Sequence, residues 1–459
     1  MATTAAIILA AGRGTRMRSG RAKALHELGG VPLVAHVVRA VERAQLGRPW
    51  VVVGYQAQRV EEVLEGRAAF VLQPELKGTG DAVLRALEAI PEEVEQVVVL
   101  YADCPLVPPE LLTQLVQHAE TAHCAATLVT TIMDNPHGYG RVLRREDGAI
   151  QAIREEKDAS PLERQIQEIN TGIGVWRVSE LAAALKDLPD HQGEQYLTDA
   201  VSRIAERGGR VCALLWEDDQ QVMGVNTRRE LALAEARLRQ DTLLRLFEQG
   251  VTIVDPATTY VDAEVEVGQD TVIYPMTFLR GRTTIGRECH IGPMSTIVDS
   301  RIMDGVVVEQ SVVEHSVIGS SARVGPFSHL RPGTYLDRDV KIGNFVELKN
   351  TRVGIGSKAS HHSYLGDATI GGRVNIGAGT VIVNFDGTAK HQTFIGDEAF
   401  IGCNANLVAP IEIGPGAYVA AGSTLTQNVP GDALAIARGR QENKPGWAKA
   451  RRSRRHEPS

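Results

Sequence analysis

The residues of this chain best suited to chemistry lie in two places. The first is Leu9-Ala10-Ala11-Gly12-Arg13-Gly14-Thr15-Arg16-Met17, directly behind an apolar run and followed by Lys23. Glycines in such a turn let backbone N–H groups approach a phosphate, and a helix N-terminus behind them adds a favourable dipole. Arg16 and Lys23 add cations suited to a triphosphate. A dinucleotide-binding turn would want a third glycine where Met17 stands, and a Walker A lysine is missing, so NAD binding is disfavoured. A Gly-rich turn alone is equally a tight turn; the company of Arg16 and Lys23 favours phosphate. The second place is His361-His362-Ser363-Tyr364. A neutral imidazole can accept a proton near neutral pH. A surface histidine on a chain corner is the plain alternative, and only one of the two histidines is expected to face a site.

The elements around these residues fall into three parts. Residues 1 to about 227 alternate strand-like runs (5–10, 50–53, 70–72, 97–101, 125–132) with helix-like ones (32–44, 80–89, 109–121). That alternation predicts a mostly parallel sheet with helices on both faces, whose ligands sit beyond the carboxyl ends of the strands. Residues 228–249 read as a connecting helix of roughly 30 Å. Thr227 and Glu230 form a capping box at its start and Gly250 is its stop.

From residue 250 to 459 aliphatic residues recur every six positions, as in Ile318, Val324, Leu330, Leu336, Ile342 and Leu348, or Ile395, Ile401, Leu407, Ile413, Val419 and Leu425. Neither a helix nor a single strand buries on a period of six. Short strands wound into a coil do, with one aliphatic inward per face and a small residue at each corner. The register slips between Leu348 and Ile370, the stretch that holds His361, and an insertion beginning Val383-Asn384-Phe385-Asp386-Gly387 interrupts the coil. Insertions in solenoids become loops on one face, often the binding face.

Composition sets the outer limits. A hydrophobic content of 43% allows large cores, while 45 glycines with only 5% aromatics suit repeated tight corners. The net charge of −7 argues against a general nucleic-acid binder. The exception is a basic tail, Lys449, Arg451, Arg452, Arg454 and Arg455, whose plain reading is a solvated end. Five scattered cysteines without CxxC spacing predict neither a disulfide framework nor a zinc site, and with them a reducing cytoplasm. The apolar run at 5–10 is too short to span a membrane, so no membrane insertion is expected.

The Leu-Ala-Ala-Gly-x-Gly-Thr-Arg-Met turn with Lys23 resembles the signature of sugar nucleotidyltransferases. Further matches stand at Gly78-Thr79-Gly80, Tyr101-Ala102-Asp103, Asn135 to Gly140, Glu155, Asn170-Thr171-Gly172 and Gly224-Val225-Asn226. With the six-residue repeat, essentially the whole chain is similar to the family of bifunctional N-acetylglucosamine-1-phosphate uridyltransferase/glucosamine-1-phosphate acetyltransferases. The resemblance implies an α/β fold: a Rossmann-like nucleotidyltransferase domain followed by a left-handed parallel β-helix of hexapeptide repeats. Leu9, Ala10, Gly12, Gln73, Gly78, Thr79 and Tyr101 would hold the uridine nucleotide. Arg16 and Lys23 would act on the triphosphate, Asp103 and Asn226 would hold Mg²⁺, and Gly140, Glu155 and Asn170 would bind the N-acetylglucosamine moiety. Asp103 also reads locally as a helix cap beside Pro105. Ala102, Leu76-Lys77 and Asp81 depart from the family pattern.

In the second half the resemblance makes His361 the general base. Arg331 and Lys349 would bind the phosphate of glucosamine-1-phosphate, with Glu347, Tyr364 and Asn375 around the sugar. Asn384, Phe385, Cys403, Ala421 and Arg438 would contact acetyl-coenzyme A. Phe385 and Cys403 stand where the family usually has Tyr and Ser. The implied substrates are UTP, acetyl-coenzyme A and the two sugar phosphates; the implied assembly is a homotrimer. A single-activity nucleotidyltransferase with a regulatory coil is a second reading, against which the set Arg331, Lys349, His361 and Tyr364 argues. A third takes the coil as a scaffold and leaves the insertion without a purpose.

Overall fold

The computed structural model describes residues 3–454. The chain divides into two compact units, residues 1–242 and 243–459.

The first unit is built on one sheet. Its strand order is Val211–Leu215, Ala126–Ile132, Glu168–Arg177, Gln96–Tyr101, Thr4–Leu9, Trp50–Val53, Ala69–Leu72. Neighbours run parallel except Glu168–Arg177, which is antiparallel to both its neighbours in this order. The predicted strands and helices are all present within a residue or so, the helices as Leu33–Arg43, Thr79–Ala89 and Pro109–Ala122. Ile7, Ile8, Val51, Val52, Val98 and Val99 are fully buried, as a strand covered on both faces requires.

Strand order creates the site. The chain moves outward from Thr4–Leu9 through Trp50–Val53 to Ala69–Leu72, then returns to place Gln96–Tyr101 on the other side of the first strand. This reversal opens a crevice beyond the ends of the two central strands. Leu9 pairs with Tyr101, so Ala10 and Ala102 leave the sheet side by side.

The cysteine expectation is corrected here. Cys124 and Cys212 form a disulfide across 88 residues, with Cα atoms 6.1 Å apart. Parallel pairing of Val211 with Ala126 brings the start of the edge strand beside the segment preceding its neighbour. Sequence spacing could not reveal this, because the pair is created by sheet order. Cys104 and Cys289 are buried and free; Cys403 is exposed and free.

The helix Arg228–Glu248 begins with the predicted capping box: the Glu230 N–H donates to Thr227 Oγ1 (3.2 Å) and Glu230 Oε2 accepts from the Thr227 N–H (2.9 Å).

The second unit is a parallel coil. Ile273 lies opposite Ile291, Ile285 opposite Ile302 and Ile401 opposite Val419, each one coil further on. The six-residue aliphatics form its core, with Ile297, Ile318, Leu330, Leu336, Ile342, Ile401 and Leu407 fully buried. Buried hydroxyls tie successive coils, as when Ser328 Oγ donates to the Gly343 carbonyl at 2.6 Å. Many corners use left-handed backbone at non-glycine residues, including Met276, Met294, Phe327, Phe345, His362 and Asn404. Where the repeat slips, two nine-residue strands, Lys341–Lys349 and Lys358–Gly366, run side by side through the corner and pair Asn344 with His361. The insertion is a tight hairpin in which Phe385 bridges Lys390 and the His391 N–H returns to the Asn384 carbonyl (2.8 Å).

The tail residues Lys449, Arg451 and Arg452 lie on the helix Trp447–Arg454; Arg455 lies outside the described residues. No helix among the described residues is long and apolar enough to cross a membrane.

Candidate active sites

At the switch point of the first unit the Gly-rich turn folds over the end of its strand. Gly14 is left-handed (φ 67°), and a Cβ there would lie 2.5 Å from the Cβ of Lys23. Glycine at this position therefore lets the lysine stem cross the turn and deliver its ammonium to the crevice. Lys23 Nζ forms an ion pair with Asp103 and donates to Asn226 Oδ1 (2.6 Å). Arg16 donates to the same Asn226 oxygen at 2.8 Å. Four residues separated by up to 210 positions thus meet at one point. Asn226 is itself held by its backbone, since its N–H donates to Glu230 Oε2 (2.6 Å) and the next residue back, Val225, donates to the Asp103 carbonyl (2.7 Å).

Leading from this point is a cleft of about 550 Å³ lined by Leu9, Ala10, Gly12, Arg16, Lys23, Gln73, Gly78, Thr79, Tyr101 and Asp103, together with Leu76, Glu194 and Tyr196. The strand-end Tyr101 is partly buried and its hydroxyl bonds the Thr79 side chain; desolvation, with the Glu155 and Asp103 carboxylates nearby, pushes its pKa above the usual range. The loop carrying Glu194 and Tyr196 clasps the 78–80 turn: Gly80 donates to the Gln195 carbonyl (2.8 Å) and Leu197 to Thr79 Oγ1 (2.9 Å).

Gly140, Glu155 and Asn170 form a second group. The Asn170 N–H donates to the Gly140 carbonyl (2.8 Å), and a Cβ on Gly140 would stand 3.5 Å from the Glu155 carboxylate. Thr198 Oγ1 donates to Glu155 at 3.0 Å. Burial is the main cause that raises the Glu155 pKa. Behind this group lies Arg141, almost wholly buried, which pairs with Glu156 (2.7 Å) and donates to the Tyr139 carbonyl. It fixes the backbone on either side of Gly140, a role the sequence reading missed.

A metal is tested by the donors present. Among the described residues no group of three or more His, Cys, Asp or Glu gathers as a metal site. One carboxylate and one amide oxygen do converge, Asp103 and Asn226, on the Lys23 ammonium. Two hard oxygens beside a phosphate-binding turn suit Mg²⁺, which takes few protein ligands and completes its shell with water and phosphate.

On the coil, Arg331, Glu347, Lys349 and Tyr364 share one face: Arg331 pairs with Glu347 (2.9 Å), and Glu347 lies opposite Tyr364. Gly366 carries no side chain because a Cβ would come within 2.5 Å of the Tyr364 hydroxyl and 2.7 Å of Asn384 Nδ2. Asn384 is buried, donating to Asp367 (2.5 Å) and to Tyr364 (3.5 Å), and Asp367 also accepts from Asn350 (2.7 Å). Asn375 lies on the adjoining face, opposite Lys358. Lys390, in the hairpin, was not anticipated. It stands beside Lys349, and this neighbouring ammonium is the chief cause that holds Lys349 below the ordinary lysine range; Arg331 acts in the same sense. Three cations so gathered could hold a dianion.

Both histidines are exposed, but their partners differ. His361 Nδ1 lies 2.6 Å from Asn344 Oδ1. His362 instead packs against Phe345, with ring centroids 4.9 Å apart. From His362 the corner continues as a backbone ladder. Gly379 donates to the His362 carbonyl (2.7 Å), Asn404 to Ala378 (2.8 Å) and Gly422 to Cys403 (2.8 Å). Small residues therefore follow the histidine corner through Cys403 to Ala421. A Cβ on Gly422 would reach Arg438 Cδ at 4.0 Å, which sets Arg438 at the far end. Phe385, at the hairpin, is about half exposed.

Residues 6–196 match the MobA-like NTP transferase domain, residues 256–353 the GMPPB C-terminal domain, and residues 392–427 the bacterial transferase hexapeptide (six repeats). The last match agrees with a left-handed parallel β-helix. The chain is 44% identical over 444 residues to the bifunctional protein GlmU of Acetivibrio thermocellus, covering 96% of each chain. It is 48% identical over 446 residues to that of Exiguobacterium sp., covering 97% of this chain and 99% of the relative. For that of Caldanaerobacter subterraneus subsp. tengcongensis the identity is 47% over 447 residues, 97% of each. With a nucleotidyltransferase match, a hexapeptide match and such relatives along almost its entire length, the chain belongs to the GlmU family of bifunctional proteins.

Proposed function

We propose that the chain makes UDP-N-acetylglucosamine in two steps at two separate sites. It is a glucosamine-1-phosphate acetyltransferase and an N-acetylglucosamine-1-phosphate uridyltransferase, with acetyl-coenzyme A and UTP as co-substrates. The observation that carries the uridyltransferase assignment is the meeting of Lys23, Arg16, Asp103 and Asn226 beside the phosphate-binding turn.

In the first step His361 Nε2 takes a proton from the sugar amine. The amine nitrogen bonds to the thioester carbonyl carbon, the C–S bond breaks, and the thiolate leaves to be protonated. Asn344 keeps Nδ1 as the donor, which leaves Nε2 as the acceptor. Arg331, Lys349 and Lys390 hold the sugar phosphate.

In the second step a phosphate oxygen of N-acetylglucosamine-1-phosphate attacks the α-phosphorus of UTP and pyrophosphate leaves. Two anions must approach, so positioning and cations do most of the work. Lys23 and Arg16 turn from Asn226 and Asp103 to the phosphates. Asp103 and Asn226 would hold Mg²⁺, which when bound neutralises phosphate charge. Gly140, Glu155 and Asn170 seat the sugar, while Gln73, Gly78 and Thr79 seat the base.

A homotrimer is supported by one corner of the coil, where Met276, Met294, Phe327 and Phe345 each stay about half exposed in a column that leads to His362 and is interrupted only by Gln310. Such an apolar stripe suits contact with further copies of the same chain. A cytoplasmic location fits the two co-substrates, which are made inside cells. The deciding experiment supplies glucosamine-1-phosphate, acetyl-coenzyme A, UTP and Mg²⁺, omits each in turn, and identifies products by mass spectrometry. A UDP-sugar formed without acetyl-coenzyme A, and no acetylated sugar phosphate in any mixture, would leave only a nucleotidyltransferase.

A further inference from the structure

We infer that Asp81 sets which base the nucleotide site accepts, by fixing the orientation of the Gln73 side-chain amide. The inference rests on the proposed uridine placement and adds a residue to it.

Gln73 lines the cleft and is almost wholly buried. Its Nε2 donates to the Gly78 carbonyl (3.0 Å) and to Asp81 Oδ2 (2.7 Å). Both amide hydrogens are thereby used, and Oε1 is left as the acceptor for a ligand. Asp81, also buried, is held by Arg85, whose Nε lies 3.2 and 3.1 Å from its two oxygens. A carboxylate can only accept, so it cannot partner Oε1. The Gly78 carbonyl makes the same demand, so Asp81 and that carbonyl together leave the amide one satisfied orientation, and turning it would set its oxygen against two acceptors in a buried place.

The chemistry of the base then decides. Uracil presents an N3–H donor, which Oε1 can accept. Cytosine presents a bare N3 acceptor, which Oε1 repels. A site built to pair one hydrogen-bonding pattern rejects the other because a buried group is left unpartnered. Asp81 is a positioning residue: it acts on the base only through Gln73.

The test is the ratio of kcat/KM for UTP over CTP, measured on the full chain with N-acetylglucosamine-1-phosphate. Asp81→Asn can offer an N–H to Gln73 Oε1 and leaves only the Gly78 carbonyl against turning the amide, so the ratio should fall about tenfold. Asp81→Ala removes one of the amide's two acceptors and offers no donor in its place, so its ratio should fall less. Asp81→Glu keeps an acceptor and should restore the wild-type ratio. Acetyl transfer and the melting temperature report folding; if Asp81→Asn does not fold, Asp81→Ala carries the test. A ratio within twofold of wild type in the folded Asn and Ala variants overturns the inference. Gln73→Ala separates the two levels. If it lowers the ratio while the Asp81 variants do not, the uridine placement stands and Asp81 has no part in it. If it changes neither the ratio nor the KM for UTP, the placement falls and the inference with it.

Discussion

His361 Nδ1 lies 2.6 Å from Asn344 Oδ1, across two strands that run side by side through a corner of the coil. The amide oxygen can only accept, so the imidazole donates from Nδ1, which leaves Nε2 as the acceptor nitrogen that the proposed base role needs. His361→Ala should lower kcat for acetyl transfer by about 10²–10⁴. Asn344→Ala should cost roughly tenfold or more and shift the pH–rate profile, because the ring loses its fixed tautomer. His362→Ala should be mild, since that ring packs against Phe345. Equal losses at both histidines in a steady-state assay would contradict this division.

Asp103→Ala should abolish uridylyl transfer and spare acetyl transfer. It removes a carboxylate that no water can replace with the same geometry, and it strips Lys23 of its ion pair. Pyrophosphate release against Mg²⁺ concentration is the measurement. A wild-type rate at high Mg²⁺ would show that Asp103 holds no metal.

Lys390→Ala should raise the KM for glucosamine-1-phosphate about tenfold, the scale of one hydrogen bond to a charged group. The KM for acetyl-coenzyme A should not move. Relieved of its neighbour, Lys349 should also titrate higher, because Lys390 is the chief cause of its lowered pKa. An unchanged sugar-phosphate KM would remove Lys390 from the phosphate site.

Burial raises the Glu155 pKa above 4.5. A carboxyl that ionises less readily when folded contributes stability at low pH that is lost as pH rises from about that value through the raised one. Glu155→Gln cannot ionise, so its melting temperature should gain on wild type across that window and then level off, while sugar binding weakens. Thermal melts at stepped pH test this; a constant difference at every pH refutes it.

Cys403 should be the cysteine most open to alkylation, as Cys104 and Cys289 are buried and Cys124 is bonded to Cys212. Its adduct should block acetyl transfer, and acetyl-coenzyme A should protect. Cys403→Ser should stay active and resist the reagent. Inhibition of Cys403→Ser at the wild-type rate would move coenzyme A elsewhere on the coil.

Much of this was legible in the sequence because it is local or periodic. The six-residue aliphatics, the capping box of Thr227 and Glu230 and the Gly-rich turn each speak within a few residues. What could not be read depends on neighbours that only folding supplies. Glu168–Arg177 reverses the sheet direction, yet its pattern does not encode a partner. Cys124 meets Cys212 only because the strand that follows Cys124 lies beside the strand that holds Cys212. Lys390 and Asn344 gain meaning from Lys349 and His361, which reach them from other coils. Arg141 looks like any surface arginine until its burial is seen.

Glu230 Oε2 accepts the N–H of Asn226 as well as that of Thr227. One carboxylate therefore starts the long helix and anchors the asparagine that faces Lys23. The helix opening is part of the nucleotide site's own scaffolding. A chain cut at residue 227, where the alternating pattern ends, would keep every residue assigned to uridylyl transfer and still release Asn226 from its anchor. The point where the chain changes style and the point where it can be divided without harm are two different places.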